Sequence, residues 1–170
     1  MIHLYTGDGK GKSTAACGLC VRMVGSGKEA ALIQFLKSGT SSELTALRKL
    51  PGMRVFSLEK QYDFFYNLTN TQKEQLKRET EAELLLAEKL LQSGQVALLV
   101  LDEVVDAVNL GLLQLPELCI LLRSAGEVEV VLTGRQPPEE LLELADYHTD
   151  FRALKHPYER GITARRGIEY

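Results

Sequence analysis

The sequence predicts a three-layer α/β/α domain built on a mainly parallel sheet. Strand-type and helix-type segments alternate along the whole chain. One of them, Val96 to Leu101, is apolar without a break, as a central parallel strand covered on both faces must be. A glycine-rich turn from Gly7 to Thr14 joins the first strand to the first helix, in the order used to cradle phosphates.

The first strand is Ile2 to Thr6, where apolar and polar strand formers alternate. A helix-forming run from Ala15 to Val24 follows, stopped by Gly25-Ser26-Gly27. Ala30 to Phe35 reads as the second strand. Thr40 with Glu43 predicts a capping box for a short helix to Leu50, ended by Pro51-Gly52. Met53 to Leu58 is the third strand. Glu59 to Asn70 is a polar loop carrying aromatic rings. Thr71 with Glu74 predicts the cap of a long helix reaching Ser93 and stopped by Gly94. Its Leu76, Leu84, Ala87, Leu90 and Leu91 fall on one face. Beyond the Val96–Leu101 strand, a helix from Pro116 to Gly126, a strand from Val128 to Thr133 and a helix from Pro138 to Ala145 complete the alternation. Thr149 to Leu154 reads as an edge strand. No repeat or linker interrupts this order, so one domain is expected over residues 1–170.

Composition narrows the function. Of the 170 residues, 45% are hydrophobic and 25% charged, the balance of a soluble globular chain. No apolar run approaches the ~20 residues of a membrane span, and no leader precedes the first strand, so a cytoplasmic protein is expected. A net charge of −3 argues against a nucleic-acid partner. Lys155, Arg160, Arg165 and Arg166 make the tail locally basic, which suits either a solvated tail or one that contacts an anion. Cys17 and Cys20 lie three apart on one helix with no matching pair of ligands elsewhere, so they read as buried thiols rather than a metal site.

The chemistry begins at Gly7-Asp8-Gly9-Lys10-Gly11-Lys12-Ser13-Thr14, a P-loop NTPase-like element one residue shorter than G-x-x-x-x-G-K-[ST]. Its amides and the helix N-terminus would hold phosphate oxygens. Lys12 would bridge them, and the hydroxyl of Ser13 or Thr14 would bind Mg²⁺. Asp102 and Glu103 close the apolar strand, either as carboxylates for Mg²⁺ or its waters, or as caps of a following helix. Asp106, one turn on, reads as a surface or helix position. Arg135 follows Thr133-Gly134 at the end of the next strand, within reach of phosphate oxygens or of a surface acid. Lys37 ends the second strand near the same rim.

Taken together with Gln34-Phe35-Leu36-Lys37 and the closing Lys155-His156-Pro157-Tyr158…Gly161…Ala164…Gly167-Ile168-Glu169-Tyr170, these segments resemble the P-loop type of ATP:corrinoid adenosyltransferase from end to end. The resemblance implies that ATP lies across the loop in the reverse sense, with its terminal phosphate gripped by the compact turn. A Co(I) corrinoid then attacks the ribose 5′ carbon and triphosphate departs, in adenosylcobalamin biosynthesis or salvage. It implies phosphate binding by Gly7 to Thr14, and catalytic roles for Lys12, Glu103 and Arg135. Mg²⁺ would be held by Ser13 and Glu103 with Asp102 in support, and Arg165 or Arg166 would help at the phosphates. Tyr62, Phe64, Phe65 and Tyr66 align with the loop that presses rings on the corrin. Relatives carry Phe-x-Trp there, whereas this chain has no tryptophan, so Phe64 or Phe65 would substitute or the rings simply pack the loop. Relatives also cover the nucleotide with a segment before the first strand. Here Met1 leads directly into that strand, so the 59–70 loop would provide the cover or the site would be more open. A homodimer and an electron-donating protein partner are further implications. The competing readings are a small-molecule kinase or NTPase, and a nucleotide- or corrinoid-binding module without turnover.

Overall fold

A computed structural model describes residues 1–169; Tyr170, the last residue of the closing motif, lies outside the described residues. Strand β1 (Ile2–Thr6) leads through the glycine loop into α1 (Lys12–Gly25). Then come β2 (Ala30–Gln34), α2 (Ser42–Leu47) and β3 (Met53–Ser57). The long α3 (Asn70–Gln92) precedes β4 (Leu98–Asp102), α4 (Val104–Asn109), α5 (Leu115–Arg123), β5 (Glu129–Thr133), α6 (Glu139–Leu144) and β6 (Tyr147–Asp150). Single 3₁₀ turns occupy Phe65–Asn67 and Pro157–Arg160.

The six strands run in the order β3-β2-β4-β5-β1-β6, and every pairing is parallel. Consecutive residues of a strand point to opposite faces, and β4 divides accordingly. Leu98 and Val100 join Ala16, Cys17, Cys20, Leu44 and Leu47 beneath α1 and α2. Leu99 and Leu101 join Leu84, Ala87, Leu91, Leu118 and Leu122 beneath the helices of the other face. Both faces are therefore covered, and all carboxyl strand ends share one edge. The paired thiols are part of this packing, and burial pushes both above the ordinary thiol range.

Several boundaries differ from expectation. Helix α1 begins at Lys12, three residues before Ala15, so the motif itself forms its first turn. The Thr40–Glu43 box does not form: Ser41 precedes α2 without a side-chain cap bond. Nor does the Thr71–Glu74 box. The same pattern occurs two residues earlier, and Thr69 with Gln72 forms the reciprocal cap. Starting there adds helical backbone bonds and sets Lys73 over the Phe65 ring, 5.0 Å from its centroid. Strand β4 runs two residues later than expected at its start and includes Asp102, because Asp102 pairs in register with Gln34. The edge strand is Tyr147–Asp150 rather than Thr149–Leu154; residues 151–153 leave the sheet to pack on the glycine loop.

Helix α3 carries an unusual burial. Glu83 is 8% exposed, and neither carboxylate oxygen has a hydrogen-bond partner among the described residues. Burial, with Glu79 one turn away, pushes its pKa up to about 8 from 4.5. Between those values the folded chain retains a proton that the unfolded chain releases, so stability falls as pH rises from about 4.5 to about 8. Glu83→Gln is expected to flatten this slope. It should gain roughly 1–3 kcal/mol relative to the parent at pH 8 over pH 5, read from denaturant unfolding at both values. Parallel pH profiles for parent and variant would contradict this burial.

Candidate active site

The glycine loop owes its shape to a neighbour as well as to a ligand. Phe151 follows β6 and lies directly on it. Its N–H donates to the Thr6 carbonyl, and its own carbonyl accepts from the Gly9 N–H, both at 2.7 Å. A side chain on Gly9 would begin 2.6 Å from the Phe151 oxygen and 2.7 Å from its carbonyl carbon. Backbone cannot yield there without losing the bond. Gly9→Ala is therefore expected to cost about 2 kcal/mol, lowering the Tm by several degrees. An unchanged melt would rule out this close packing.

With the Gly9 N–H engaged in this way, the start of α1 is left to supply amides to an anion. Gly11 sits at φ 118, a backbone that favours glycine, and the chain enters the helix directly from it. The first intrahelical bond runs from Ala15 N–H to the Gly11 carbonyl. The N–H groups of Lys12, Ser13 and Thr14 have no partner within the helix and line the cleft, where the helix dipole favours negative charge. Lys12 arches over the loop, its Nζ donating to the carbonyls of Gly7 at 2.6 Å and Gly9 at 3.0 Å. Burial and then the Arg135 charge hold its pKa below the usual lysine value.

The carboxylates divide sharply. Asp102 is 1% exposed. Its Oδ1 accepts from the Thr133 hydroxyl at 2.7 Å and its Oδ2 from Gln34 Nε2 at 3.1 Å. The same Thr133 oxygen accepts the Glu103 N–H at 2.8 Å. Asp102 thus ties together the ends of β2, β4 and β5 and fixes Glu103, whose carboxylate turns into the cleft. Glu103 sits at φ 63 and ion-pairs with Lys37. Burial pushes the Glu103 carboxyl up, and the Lys37 ammonium opposes that push.

Asp106 is the site residue that sequence reasoning undervalued. It lies on α4, the short helix left open behind Asp102 and Glu103, and is half-buried in the cleft rather than on the surface. Burial raises its pKa against the charges of Arg135 and Lys12. Its i,i+3 spacing from Glu103 was the available signal, since both fall on one side of a helix start. Arg135 is exposed at the rim beyond β5, and Gly134 before it packs tightly on Val105 and Asp106.

The aromatic loop lines the same cleft. Phe64 and Tyr66 are 80% and 85% exposed. Phe65 instead packs with Tyr62 on a small cluster of Leu58, Leu68, Leu76 and Leu112. All four rings share with Asp8 to Thr14, Glu103, Asp106 and Arg135 one cleft of ≈ 1140 Å³. The tail reaches the same cleft through His156, Ile168 and Glu169. Arg165 is engaged by Glu169, with guanidinium contacts at 3.1 and 3.2 Å, whereas Arg166 borders a smaller depression beside Thr40 and Thr45.

For a divalent cation the cleft offers hard oxygens, among them the Ser13 hydroxyl and the Glu103 and Asp106 carboxylates. Their chemistry suits Mg²⁺, which takes few protein ligands and completes its shell with phosphate and water. Among the described residues no group of three or more His, Cys, Asp or Glu could form an all-protein metal site. No helix among them is long and apolar enough to cross a membrane.

Comparison with known proteins agrees with this geometry. The profile of the family described as ATP:corrinoid adenosyltransferase BtuR/CobO/CobP matches residues 1–170. A corrinoid adenosyltransferase of Pseudomonas aeruginosa is 31% identical over 172 residues, covering 100% of this chain and 83% of its own. Corrinoid adenosyltransferase CobA of Salmonella typhimurium is 31% identical, with 100% and 85% covered. A corrinoid adenosyltransferase of Sinorhizobium is 30% identical, with 100% and 80% covered. A match along the full chain, joined to a phosphate cradle and an aromatic loop on one cleft, identifies the chain as a member of the ATP:corrinoid adenosyltransferase family.

Proposed function

We propose that one P-loop NTPase-like domain, residues 1–170, transfers the 5′-deoxyadenosyl group of ATP to the Co(I) centre of a corrinoid. The observation that carries this reading is the shared cleft. The Lys12–Thr14 segment that opens α1 and the exposed Phe64 and Tyr66 line one and the same cleft. A kinase acceptor pocket does not call for two solvent-exposed rings in the cleft of its phosphate site; a flat, apolar macrocycle does.

In the reaction the cobalt electron pair attacks C5′, the C5′–O bond breaks, and its electrons leave with triphosphate. No general base is required, because no proton is transferred. The protein supplies position and charge. Lys12, Lys10 and the α1 amides stabilise the departing triphosphate, and Arg135 adds a planar donor fork at the rim. Ser13 and Glu103 would hold Mg²⁺, while Asp102 keeps Glu103 in place through Thr133. Bound there, Mg²⁺ would neutralise part of the leaving group's charge. Phe64 and Tyr66 cover the corrin face and exclude water from the cobalt. A homodimer, an electron-donating protein that supplies the Co(I) state and a cytoplasmic location belong to the same proposal, by family analogy.

The test is a product assay with ATP, Mg²⁺ and chemically reduced corrinoid. Equimolar triphosphate and a light-sensitive cobalt–carbon bond are expected. ADP as product would make the chain a kinase, and binding without turnover would make it a nucleotide- or corrinoid-handling module.

A further inference from the structure

We propose that Lys37 competes with the divalent cation for the Glu103 carboxylate, so that the chain carries a displaceable internal counter-ion at its metal position. This inference rests on the reading of Glu103 as a metal ligand.

The two residues leave adjacent strands. β2 and β4 pair in register through Gln34 and Asp102, and the chains that follow carry Lys37 and Glu103 to the same edge. Bringing them together requires uncommon backbone on both sides. Leu36 at φ 64 and Glu103 at φ 63 are left-handed without being glycine, a conformation that side chains with a Cβ disfavour. Both main chains are then pinned. The Lys37 carbonyl accepts the Leu58 N–H at 3.3 Å, and the Glu103 N–H is held by Thr133. The side chains are not equally confined. Glu103 is 24% exposed, whereas Lys37 is 52% exposed and can swing into water.

The other cations of the cleft are directed elsewhere. Lys12 donates to loop carbonyls and Arg135 stands nearest Asp106. Lys37 is thus the ammonium paired with Glu103, with Asp102, Asp106 and Glu43 as further acids around it. A dication at this carboxylate is opposed by an ammonium at ion-pair distance, because like charges so close repel. Metal binding therefore favours a Lys37 that has swung away from Glu103. The acceptors within reach of its flexible stem are then water and the phosphate oxygens of the nucleotide bound at the loop. The exchange makes metal alone bind weakly and metal with nucleotide bind well, a positive coupling between two ligands of one cleft.

The experiment measures Mn²⁺ binding to the nucleotide-free protein by electron paramagnetic resonance, for the parent, Lys37→Met, Lys37→Arg and Glu103→Gln, with melting curves as fold controls. Lys37→Met is expected to bind Mn²⁺ roughly tenfold more tightly than the parent, and Lys37→Arg to stay near the parent value. Unchanged or undetectable binding in Lys37→Met, with Glu103→Gln weakened, would overturn the competition alone. Mn²⁺ binding indifferent to Glu103→Gln would overturn it together with the metal-ligand role of Glu103.

Discussion

Lys12→Ala is expected to lower kcat/KM for adenosyl transfer by roughly 10³-fold, about 4 kcal/mol of transition-state stabilisation. The ammonium sits above the loop, anchored to the carbonyls of Gly7 and Gly9. That anchoring holds the charge over the α1 amides, where triphosphate would collect its electrons. Removing it costs twice: a cation near the leaving group is lost, and two loop carbonyls lose their donor. Steady-state kinetics with pre-formed Co(I) corrinoid separate the two effects. A fall in kcat at saturating ATP marks the leaving-group role, while a rise in KM alone marks simple binding. Unaltered kinetics would remove the loop from the mechanism.

The second large effect concerns the exposed rings. Phe64→Ala combined with Tyr66→Ala is expected to reduce activity roughly tenfold more with Co(II) corrinoid and a mild reductant than with pre-formed Co(I). A corrin face sealed by rings cannot keep its lower axial ligand, and a cobalt stripped of that ligand accepts an electron more readily. Phe65 behaves differently. It packs among Leu58, Leu68 and Leu76 under Lys73, so its truncation should loosen the loop and harm both assays alike. Equal losses in the two assays for the Phe64 and Tyr66 pair would mean that these rings only bind.

What the sequence made legible is what periodicity and residue type encode directly. Strand β1 and the apolar β4 followed from alternation and from an unbroken hydrophobic run, and they bring the loop and the Asp102–Glu103 pair to one edge. The aromatic loop stood out by composition, but not which rings face outward. That depends on the 3₁₀ turn at Phe65–Asn67, too short to leave a pattern. Helix α4, six residues long, was legible only as one option behind Asp102 and Glu103, and the place of Asp106 in the cleft was not. Phe151 left no trace at all, because it acts on the loop through its backbone carbonyl, which every residue possesses. The Thr69 cap shows the opposite difficulty. Two overlapping boxes satisfy the same rule, and tertiary contacts of Phe65 and Lys73 favour the earlier one.

The most direct test is a crystal structure with ATP and Mg²⁺ bound, read for the direction of the nucleotide. The terminal phosphate is expected against the Lys12–Thr14 amides, with C5′ turned toward Phe64 and Tyr66. A nucleotide lying the other way, its terminal phosphorus open to the aromatic loop and C5′ shielded from it, would contradict adenosyl transfer at this site.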